Sequence, residues 1–397
     1  NAVGPHVHDP RSGEIIESDI LWYHNVMNLL RNWFFIQTAA ANPEARTPKF
    51  KQELMGELIR FVAAHEVGHT LGLPHNMGSS SAYSVDSLRA PGFVQRMGVA
   101  PSIMDYARFN YVAQPEDNIS PQGIYPRIGM YDKWAVKWGY EYYPNAKDEF
   151  EEEKTLSKLT TDSLTSNPKL WFGGEGKDED PRSQSEDLGD DSVLASDYGI
   201  KNLKRVVPNL IQWTYQPNDA YDNLSDMHKA VVSQYSRYLY HVLKNIGNNY
   251  VTKRTVDEKG AVYQPIPKAK IKASIDYVGR QLFTAPLWMY PQEIEQLIPL
   301  KTADQISDQQ NQVLNMLLSS GMLYNISQKA IQFEGDLKED GNEDKLAPKL
   351  DAIKDCEDIR VIRHPQRRRG WRWLVLKFCE AFFLYQQRNP LFYSHDY

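Results

Sequence analysis

The chain has 397 residues, of which 41% are hydrophobic, 12% aromatic and 24% charged; a disordered chain would have few aromatic residues, so this composition indicates a folded protein. At roughly 150 residues per domain, the length corresponds to two or three domains. The net charge of −6 argues against a nucleic-acid partner. The longest apolar run, residues 373–385, contains Lys377 and Glu380 and is shorter than the ~20 residues of a membrane-spanning helix, so we expect no transmembrane segment.

The N-terminal part of the chain predicts one extended segment followed by helices. Residues 1–16 predict a strand, in which Pro10 and Gly13 mark a turn. The spacing of apolar residues predicts three helices, over residues 19–41, 50–71 and 130–140. The second of these helices should end at Gly72 and Pro74, since this pair is typical of a helix C-terminus.

Residues 148–197 differ in composition from their surroundings. They include 15 acidic and 5 basic residues. Charge runs of this kind are usually solvated, so we interpret residues 146–198 as an acidic linker or loop region. Beyond it, residues 199–397 predict a mainly helical domain. Its clearest helical patterns cover residues 225–247, 268–283 and 304–333.

One segment carries the clearest chemical signal, the run HEVGHTLGLPH from His65 to His75. Residues four apart lie on the same face of a helix, so His65 and His69 can bind one metal ion. Glu66 is adjacent to a ligand and lies beside the metal, where a general base for an activated water is needed. Gly72 allows a sharp turn that returns His75 to the same ion. Three histidine ligands leave a fourth position open, as in catalytic zinc sites.

A second motif, Ser-Ile-Met-Asp-Tyr, begins at Ser102. An HExxHxxGxxH run followed by such a segment resembles the metzincin zinc endopeptidases, and in particular long, secreted bacterial zinc-dependent metalloproteases with metzincin-like cores. In metzincins the methionine forms a turn beneath the zinc, and Met104 matches it. In some branches a tyrosine two residues later approaches the metal and the transition-state oxyanion, and Tyr106 matches that position.

The resemblance implies an α+β fold, with a metzincin-like zincin catalytic domain at residues 1–145 followed by a mainly α-helical C-terminal domain. Residues 9–15 resemble the turn and edge strand that pair with an extended substrate in this family. We expect some of the family's upstream strands to be missing from this sequence. The resemblance also implies one catalytic Zn²⁺, a protein or peptide substrate, and an extracytoplasmic location, whether secreted, periplasmic or cell-surface.

Several other features have no motif that assigns them a function. Five acidic residues cluster around Pro181 and Gly189: Asp180, Glu186, Asp187, Asp190 and Asp191. Their oxygens suit Ca²⁺, but a solvated acidic loop is the simpler interpretation. His6 and His8 alternate along the first strand, and an exposed edge-strand surface is a simpler interpretation for them than a role in lining a cleft.

The C-terminal part of the chain leaves two questions open. Cys356 and Cys379 could form one disulfide or remain free thiols. Residues 359–388 contain eight basic residues and only Glu380 as an acidic one. Such a stretch is usually a solvated face beside an amphipathic helix, with a patch for a polyanion or a membrane surface as the alternative.

We therefore predict a zinc-dependent endopeptidase in which Glu66 is the general base and Tyr106 stabilises the oxyanion. One alternative is a protease-like binding or scaffold protein that keeps the zinc site but lacks a complete cleft. Another is that the helical C-terminal domain docks to a cell-surface or matrix partner. The presence of Glu66 favours the enzyme, because a zinc site used only for binding needs no base.

Overall fold

The computed structural model describes residues 2–177 and 179–332, and it has the α+β composition that the sequence predicts. The described α-helices are α1 Val26–Thr38, α2 Gln52–Thr70, α3 Val85–Leu88, α4 Pro91–Met97, α5 Met130–Tyr140, α6 Glu149–Ser166, α7 Ser192–Val206, α8 Leu210–Trp213, α9 Asp222–Leu243, α10 Lys268–Val278, α11 Gln292–Glu295, α12 Thr302–Leu317 and α13 Ser320–Gln332. The described strands are β1 Ala2–Val3, β2 His6–His8, β3 Ile15–Ser18, β4 Leu21–Trp22, β5 Asn249–Val251 and β6 Tyr263–Pro265.

The N-terminal strands form two small antiparallel sheets. β1 pairs with β4, and β2 pairs with β3 so that His6 lies opposite Ser18. A hydrogen bond of 2.8 Å from the N–H of Gly13 to the carbonyl of Asp9 closes the turn between β2 and β3. Gly13 has a φ of +74°, which is unfavourable for residues that carry a Cβ. The predicted extended segment and its turn are therefore confirmed.

α2 ends where the glycine and the proline after it predict. The N–H of Leu73 donates to the carbonyl of Gly68 at 3.0 Å, and the N–H of Gly72 donates to the carbonyl of His69 at 2.9 Å. Together these bonds form a Schellman motif, and Gly72 adopts the positive φ of +81° that the motif requires. The chain thus turns sharply at the end of α2.

The other predicted helices of the N-terminal half differ from the structure mainly at their first residues. The predictions for residues 50–71 and 130–140 agree closely with α2 and α5. The helix predicted for residues 19–41 begins only at Val26, because Leu21–Trp22 pairs with β1 as strand β4. This pairing depends on a partner from the N-terminus, so the helical spacing of apolar residues could not reveal it.

The helix predicted for residues 304–333 is divided into α12 and α13. Ser319 lies at the break, and its hydroxyl accepts a hydrogen bond from the N–H of Met322 at 3.3 Å. A serine in this position caps the start of a new helix. The predictions for residues 225–247 and 268–283 agree with α9 and with α10 plus the π-helical turn Gly279–Phe283.

The chain separates into two compact units. The first unit comprises residues up to 245, 249–264 and 286–302, and the second comprises residues 246–248, 265–285 and the described residues from 303 onward. Residues 146–198, which we interpreted as an acidic linker or loop region, lie within the first unit and begin with α6. The expectation of a solvated stretch is wrong for its second half, because Asp180, Glu186 and Asp187 are buried.

Two of these buried carboxylates are paired with cations. Asp180 contacts the guanidinium of Arg182 at 2.6 Å. Glu186 lies 3.2 Å from Arg237 and 3.5 Å from Arg108, which come from distant parts of the sequence. A buried charge is tolerated when it is paired, so local composition was a poor guide to exposure here.

Aromatic side chains connect the helices of the first unit behind α2. Gly199 lets α7 approach α9, since a Cβ at this position would lie 2.6 Å from the ring of Tyr238. Phe34 of α1 makes an edge contact with Phe109, with ring centroids 5.0 Å apart. Phe109 in turn contacts Phe61 of α2 at 5.8 Å. This continuous core fixes the position of α2 in the unit.

The second unit contains α10, α12 and α13, and Gln310 of α12 donates a hydrogen bond of 2.8 Å to the carbonyl of Leu282. In the part of the chain that the structure describes, no helix combines the length and the apolar character needed to cross a lipid bilayer. Cys356, Cys379 and the basic stretch 359–388 lie outside the described residues.

Candidate metal centre

Helix α2 and the turn that ends it bring three histidines together. His65 and His69 lie one helical turn apart, with ring centroids separated by 4.8 Å. After the Schellman turn, His75 returns to the helix, and its ring lies 4.6 Å from that of His69 and 5.3 Å from that of His65. The side-chain ligand atoms of the three residues all lie within 4.8 Å of one another.

Each of the three imidazoles makes a hydrogen bond through Nδ1 to an oxygen that can only accept. These oxygens are the carbonyl of Ile103 for His65 at 2.8 Å, the carbonyl of Leu73 for His69 at 2.9 Å, and the carboxylate of Glu175 for His75 at 2.8 Å. The hydrogen of each neutral ring is therefore on Nδ1, and each Nε2 presents a lone pair.

The arrangement of the Nε2 atoms fits a bound metal ion. The Nε2 atoms of His69 and His75 are 3.2 Å apart, and two lone pairs at that distance repel one another unless a cation lies between them. Nε2 of His65 is buried and has no hydrogen-bond partner. A donor set of three neutral imidazoles is typical of zinc. Over residues 2–177 and 179–332, no other group of three histidine, cysteine or acidic side chains is placed to bind a metal.

Burial keeps His65 and His75 in the protonation state that a metal ligand needs. It lowers the pKa of His65 to about 3. It also lowers the pKa of His75, although the contacts with Glu175 act in the opposite direction. Burial raises the pKa of Glu175, but the hydrogen bonds from His75 outweigh burial and leave this pKa below its ordinary value. At neutral pH a neutral imidazole thus donates to a carboxylate, and neutral imidazoles are the form that binds metals.

Glu66 lies beside the ligands and not among them. Only 6% of this residue is exposed, and its carboxylate accepts a hydrogen bond from the N–H of Gly4. The chain at Gly4 lies so close to α2 that a Cβ there would be 2.4 Å from the carbonyl oxygen of Glu66. Burial raises the pKa of Glu66, while His69 and the bond from Gly4 oppose part of this shift. A carboxylate with a raised pKa is better suited to accept and return a proton near neutral pH.

Met104 lies directly beneath the helix that carries the first two histidines. It is fully buried, and a Cβ on Gly68 would lie 2.2 Å from its Sδ atom. The turn around it is held by Asp132 of α5, whose carboxylate accepts hydrogen bonds from the hydroxyl of Ser102 at 2.6 Å and from the N–H of Ile103 at 2.8 Å. The methionine turn and the first histidine ligand are therefore linked, since Ile103 also supplies the carbonyl that binds His65.

Tyr106 lies against the histidine cluster. Its ring centroid is 5.1 Å from that of His65 and 4.6 Å from that of His75. On another side the guanidinium of Arg108 lies 4.3 Å from the centre of the tyrosine ring and 3.8 Å from that of Trp33. Burial raises the pKa of Tyr106, and Arg108 opposes this shift. The phenol therefore stays protonated at neutral pH and is available as a hydrogen-bond donor.

The N-terminal hairpin is attached to the end of α2 beside this cluster. His6 and His8 are both exposed, as we expected for an edge strand. His6 also contributes a contact that the sequence did not predict, a hydrogen bond of 3.1 Å from Nδ1 to the carbonyl of His69. The hydroxyl of Ser18 donates to the carbonyl of Thr70 at 3.4 Å. These bonds place an exposed strand pair next to the histidines.

The acidic residues considered for Ca²⁺ are used by the fold in other ways. Asp190 accepts a hydrogen bond from the N–H of Val85 at 3.2 Å, and Asp191 caps the start of α7. Asp180 and Glu186 are paired with arginines, as described above. In the described residues these carboxylates are not gathered around one point that could hold an ion. The structure therefore gives the calcium prediction no support.

Three residues of the site were missed by reasoning from the sequence. Asp132 orders the methionine turn, Arg108 lies beneath Tyr106, and Glu175 contacts the third histidine. Arg108 has a φ of +59°, and no feature of the sequence predicts this left-handed backbone conformation. Glu175 stands in the run Gly-Gly-Glu-Gly, and a charged residue between glycines was a usable signal for a loop that approaches other backbone closely.

Comparison with known proteins agrees with this geometry. A family model described as Met-zincin matches residues 47–341, well over half of the chain, and this range includes the histidine motif, Met104, Tyr106 and Glu175. A segment of 29 residues is 79% identical to part of Protein NifX from Herbaspirillum seropedicae. That segment covers 7% of this chain and 20% of the relative, so it carries no argument about the whole protein. No solved structure matches the chain significantly.

Proposed function

Because the chain belongs to the Met-zincin family, we propose that it is a zinc-dependent endopeptidase that hydrolyses peptide bonds in protein or peptide substrates. The observation that carries the proposal is the convergence of three neutral imidazoles beside a buried carboxylate, Glu66. Three protein ligands leave a coordination position for water or substrate, which distinguishes a catalytic site from a closed structural one. We further propose an extracytoplasmic location, as in the secreted proteases that the sequence resembles.

The proposed mechanism assigns the proton transfers to Glu66. A zinc ion held by His65, His69 and His75 supplies Lewis acidity, which makes water more acidic and the scissile carbonyl more electrophilic. Glu66 accepts a proton from the attacking water as the new C–O bond forms. It then gives this proton to the leaving amine as the C–N bond breaks.

Tyr106 is the proposed donor to the oxyanion that develops on the carbonyl oxygen. Its ring lies against His65 and His75, and its phenol is protonated at neutral pH. The guanidinium of Arg108 lies 4.3 Å from the centre of the same ring and helps to orient the side chain. A single donor of this type is worth about 2–4 kcal/mol of transition-state stabilisation.

The exposed hairpin beside the site suggests how an extended substrate would bind. β2 and β3 form a two-stranded sheet, so each strand keeps one edge without a partner strand in the described structure. An extended peptide can add to such an edge through main-chain hydrogen bonds. The bond between His6 and the carbonyl of His69 ties the hairpin to the ligand helix, which keeps that edge close to the reacting groups.

The test compares wild type, Glu66→Gln and His69→Ala for zinc content and for cleavage of an unfolded protein and a peptide library. Wild type should bind about one zinc ion per chain and cleave internal peptide bonds. Glu66→Gln should keep its zinc while hydrolysis falls by at least ~10²-fold, the lower end of general acid–base catalysis. His69→Ala should lose both. A folded wild-type chain that binds zinc but cleaves nothing would instead favour the protease-like binding or scaffold protein.

A further inference from the structure

A glycine-rich segment, residues 171–176, is bound to the segment that carries the third histidine. We refer to residues 171–176 as the glycine loop. The side chain of Asn76 donates to the carbonyl of Trp171 at 3.1 Å and accepts from the N–H of Gly173 at 2.8 Å. The N–H of Met77 donates to the carbonyl of Gly174 at 2.9 Å. Asn76 is fully buried, so these bonds fix the glycine loop independently of the Glu175 side chain.

The glycines of this loop allow a close approach that other residues would prevent. A Cβ on Gly173 would lie 2.4 Å from the Cα of Gly78, so the two backbones are in direct contact. Gly174 and Gly176 both have a φ of +72°, which residues with a Cβ rarely adopt. Glu175 lies between these two glycines. The backbone of the loop is thus shaped so that Glu175 faces the ligand segment.

Glu175 binds His75 through both of its carboxylate oxygens. Oε1 accepts the backbone N–H of His75 at 3.0 Å, and Oε2 lies 2.8 Å from Nδ1 of the ring. Two bonds to one residue fix both the position of its main chain and the orientation of its ring. The first two histidines bind only to neutral backbone carbonyls. Among the three ligands, His75 is therefore the one held by a charged partner.

We propose that Glu175 is a positioning residue of the metal centre, which holds His75 with its hydrogen on Nδ1 and its Nε2 lone pair directed at the metal. The proposal rests on the zinc site proposed above. His75 lies on a loop beyond the end of α2, where no helix orients its ring. The orientation of the ring therefore depends on Glu175. A carboxylate partner also makes the imidazole a stronger donor to a metal, and loss of such a partner typically weakens metal binding by about 10–100-fold.

The test compares the zinc affinities of Glu175→Gln and a matched control, measured by competition with a fluorescent chelator. Glu179→Gln is the control, because Glu179 is an exposed carboxylate nearby that binds the side chain of Asn249 at 3.1 Å. Glu175→Gln should bind zinc about 10–100-fold more weakly than wild type, and the control should bind it normally. Glu175→Asp, which keeps the charge but is one methylene shorter, should recover part of the affinity. If Glu175→Gln fails to fold, a folded Glu175→Asp with weakened zinc affinity carries the test.

A second measurement separates positioning from a general structural role. In the cobalt-substituted protein, the ring N–H protons of the ligand histidines give paramagnetically shifted signals that exchange with water. Glu175→Gln should alter the signal of one ligand and leave the other two in place, whereas a general loss of stability would broaden or shift all three. Wild-type zinc affinity in Glu175→Gln would overturn this proposal alone. A folded wild-type chain that binds no zinc would overturn the proposed function as well.

Discussion

Replacing Gly68 by alanine should destabilise the protein, even though alanine is the better helix former. Gly68 lies within α2, where glycine costs about 1 kcal/mol relative to alanine. The new Cβ would lie 2.2 Å from Sδ of Met104, far inside any normal contact. Because Met104 is fully buried beneath the helix, its side chain, α2 or the methionine turn must move. Forcing an extra carbon into a packed core costs about 1–3 kcal/mol.

Gly56 provides the matched control within the same helix. A Cβ at Gly56 would have no neighbour within 4 Å, so Gly56→Ala should stabilise the protein by about 0.5–1 kcal/mol. Both substitutions gain the same helix propensity. The difference between their free energies of unfolding, expected at about 1–3 kcal/mol, therefore measures the cost of the contact with Met104. Chemical denaturation in the presence of a metal chelator gives this difference without a contribution from bound metal.

Equal stabilities of the two variants would refute the reasoning, because they would mean that α2 and Met104 are not in close contact. A double mutant locates the effect. In a Met104→Ala background the sulfur is gone, so adding Gly68→Ala should cost little or should stabilise the protein. Gly68→Ala should also weaken zinc binding, since Gly68 lies immediately before His69 on the ligand helix.

Two further predictions concern the tyrosine and a buried histidine away from the metal centre. Tyr106→Phe should lower kcat more than it raises KM in steady-state kinetics, and unchanged kinetics would leave Tyr106 as a packing residue. Burial lowers the pKa of His241 to about 4, so below pH ~6.5 the unfolded chain binds a proton that the folded chain does not. Stability should therefore fall between pH ~6.5 and ~4, by up to about 3 kcal/mol from this residue, and His241→Gln should show a shallower pH dependence of unfolding. Parallel profiles would contradict that assignment.

The parts of the site that could be predicted from the sequence are those fixed by local geometry. His65, Glu66 and His69 lie within two turns of one helix, and their spacing alone determines which side chains share a face. Gly72 predicted the Schellman turn, because a residue with a positive φ is usually glycine. The return of His75 to the other two histidines follows from that turn. Each of these steps depends on neighbours only a few residues away.

The parts that could not be predicted depend on contacts across long stretches of sequence. Glu175 is 100 residues from His75, and it stood in a region whose acidic composition indicated solvation. Glu186 is buried there because Arg108 and Arg237 neutralise it, and neither cation is near it in sequence. The composition of a short segment gives the charge of that segment. It does not show the charges of the distant residues that the segment contacts in the fold. The expectation of solvation was therefore wrong at Asp180, Glu186 and Asp187, which are buried.

The charges around the three histidines favour a bound metal ion at this site. Three neutral imidazoles bring no charge to balance the two positive charges of zinc. Glu175, bound to the third ligand, and Glu66, beside the first, supply negative charge when ionised. Without a cation, the converging lone pairs and the nearby carboxylates repel one another with nothing between them. Under the proposed function, zinc binding and the stability of the ligand segment are therefore linked, and the glycine loop belongs to that linkage as much as α2 does.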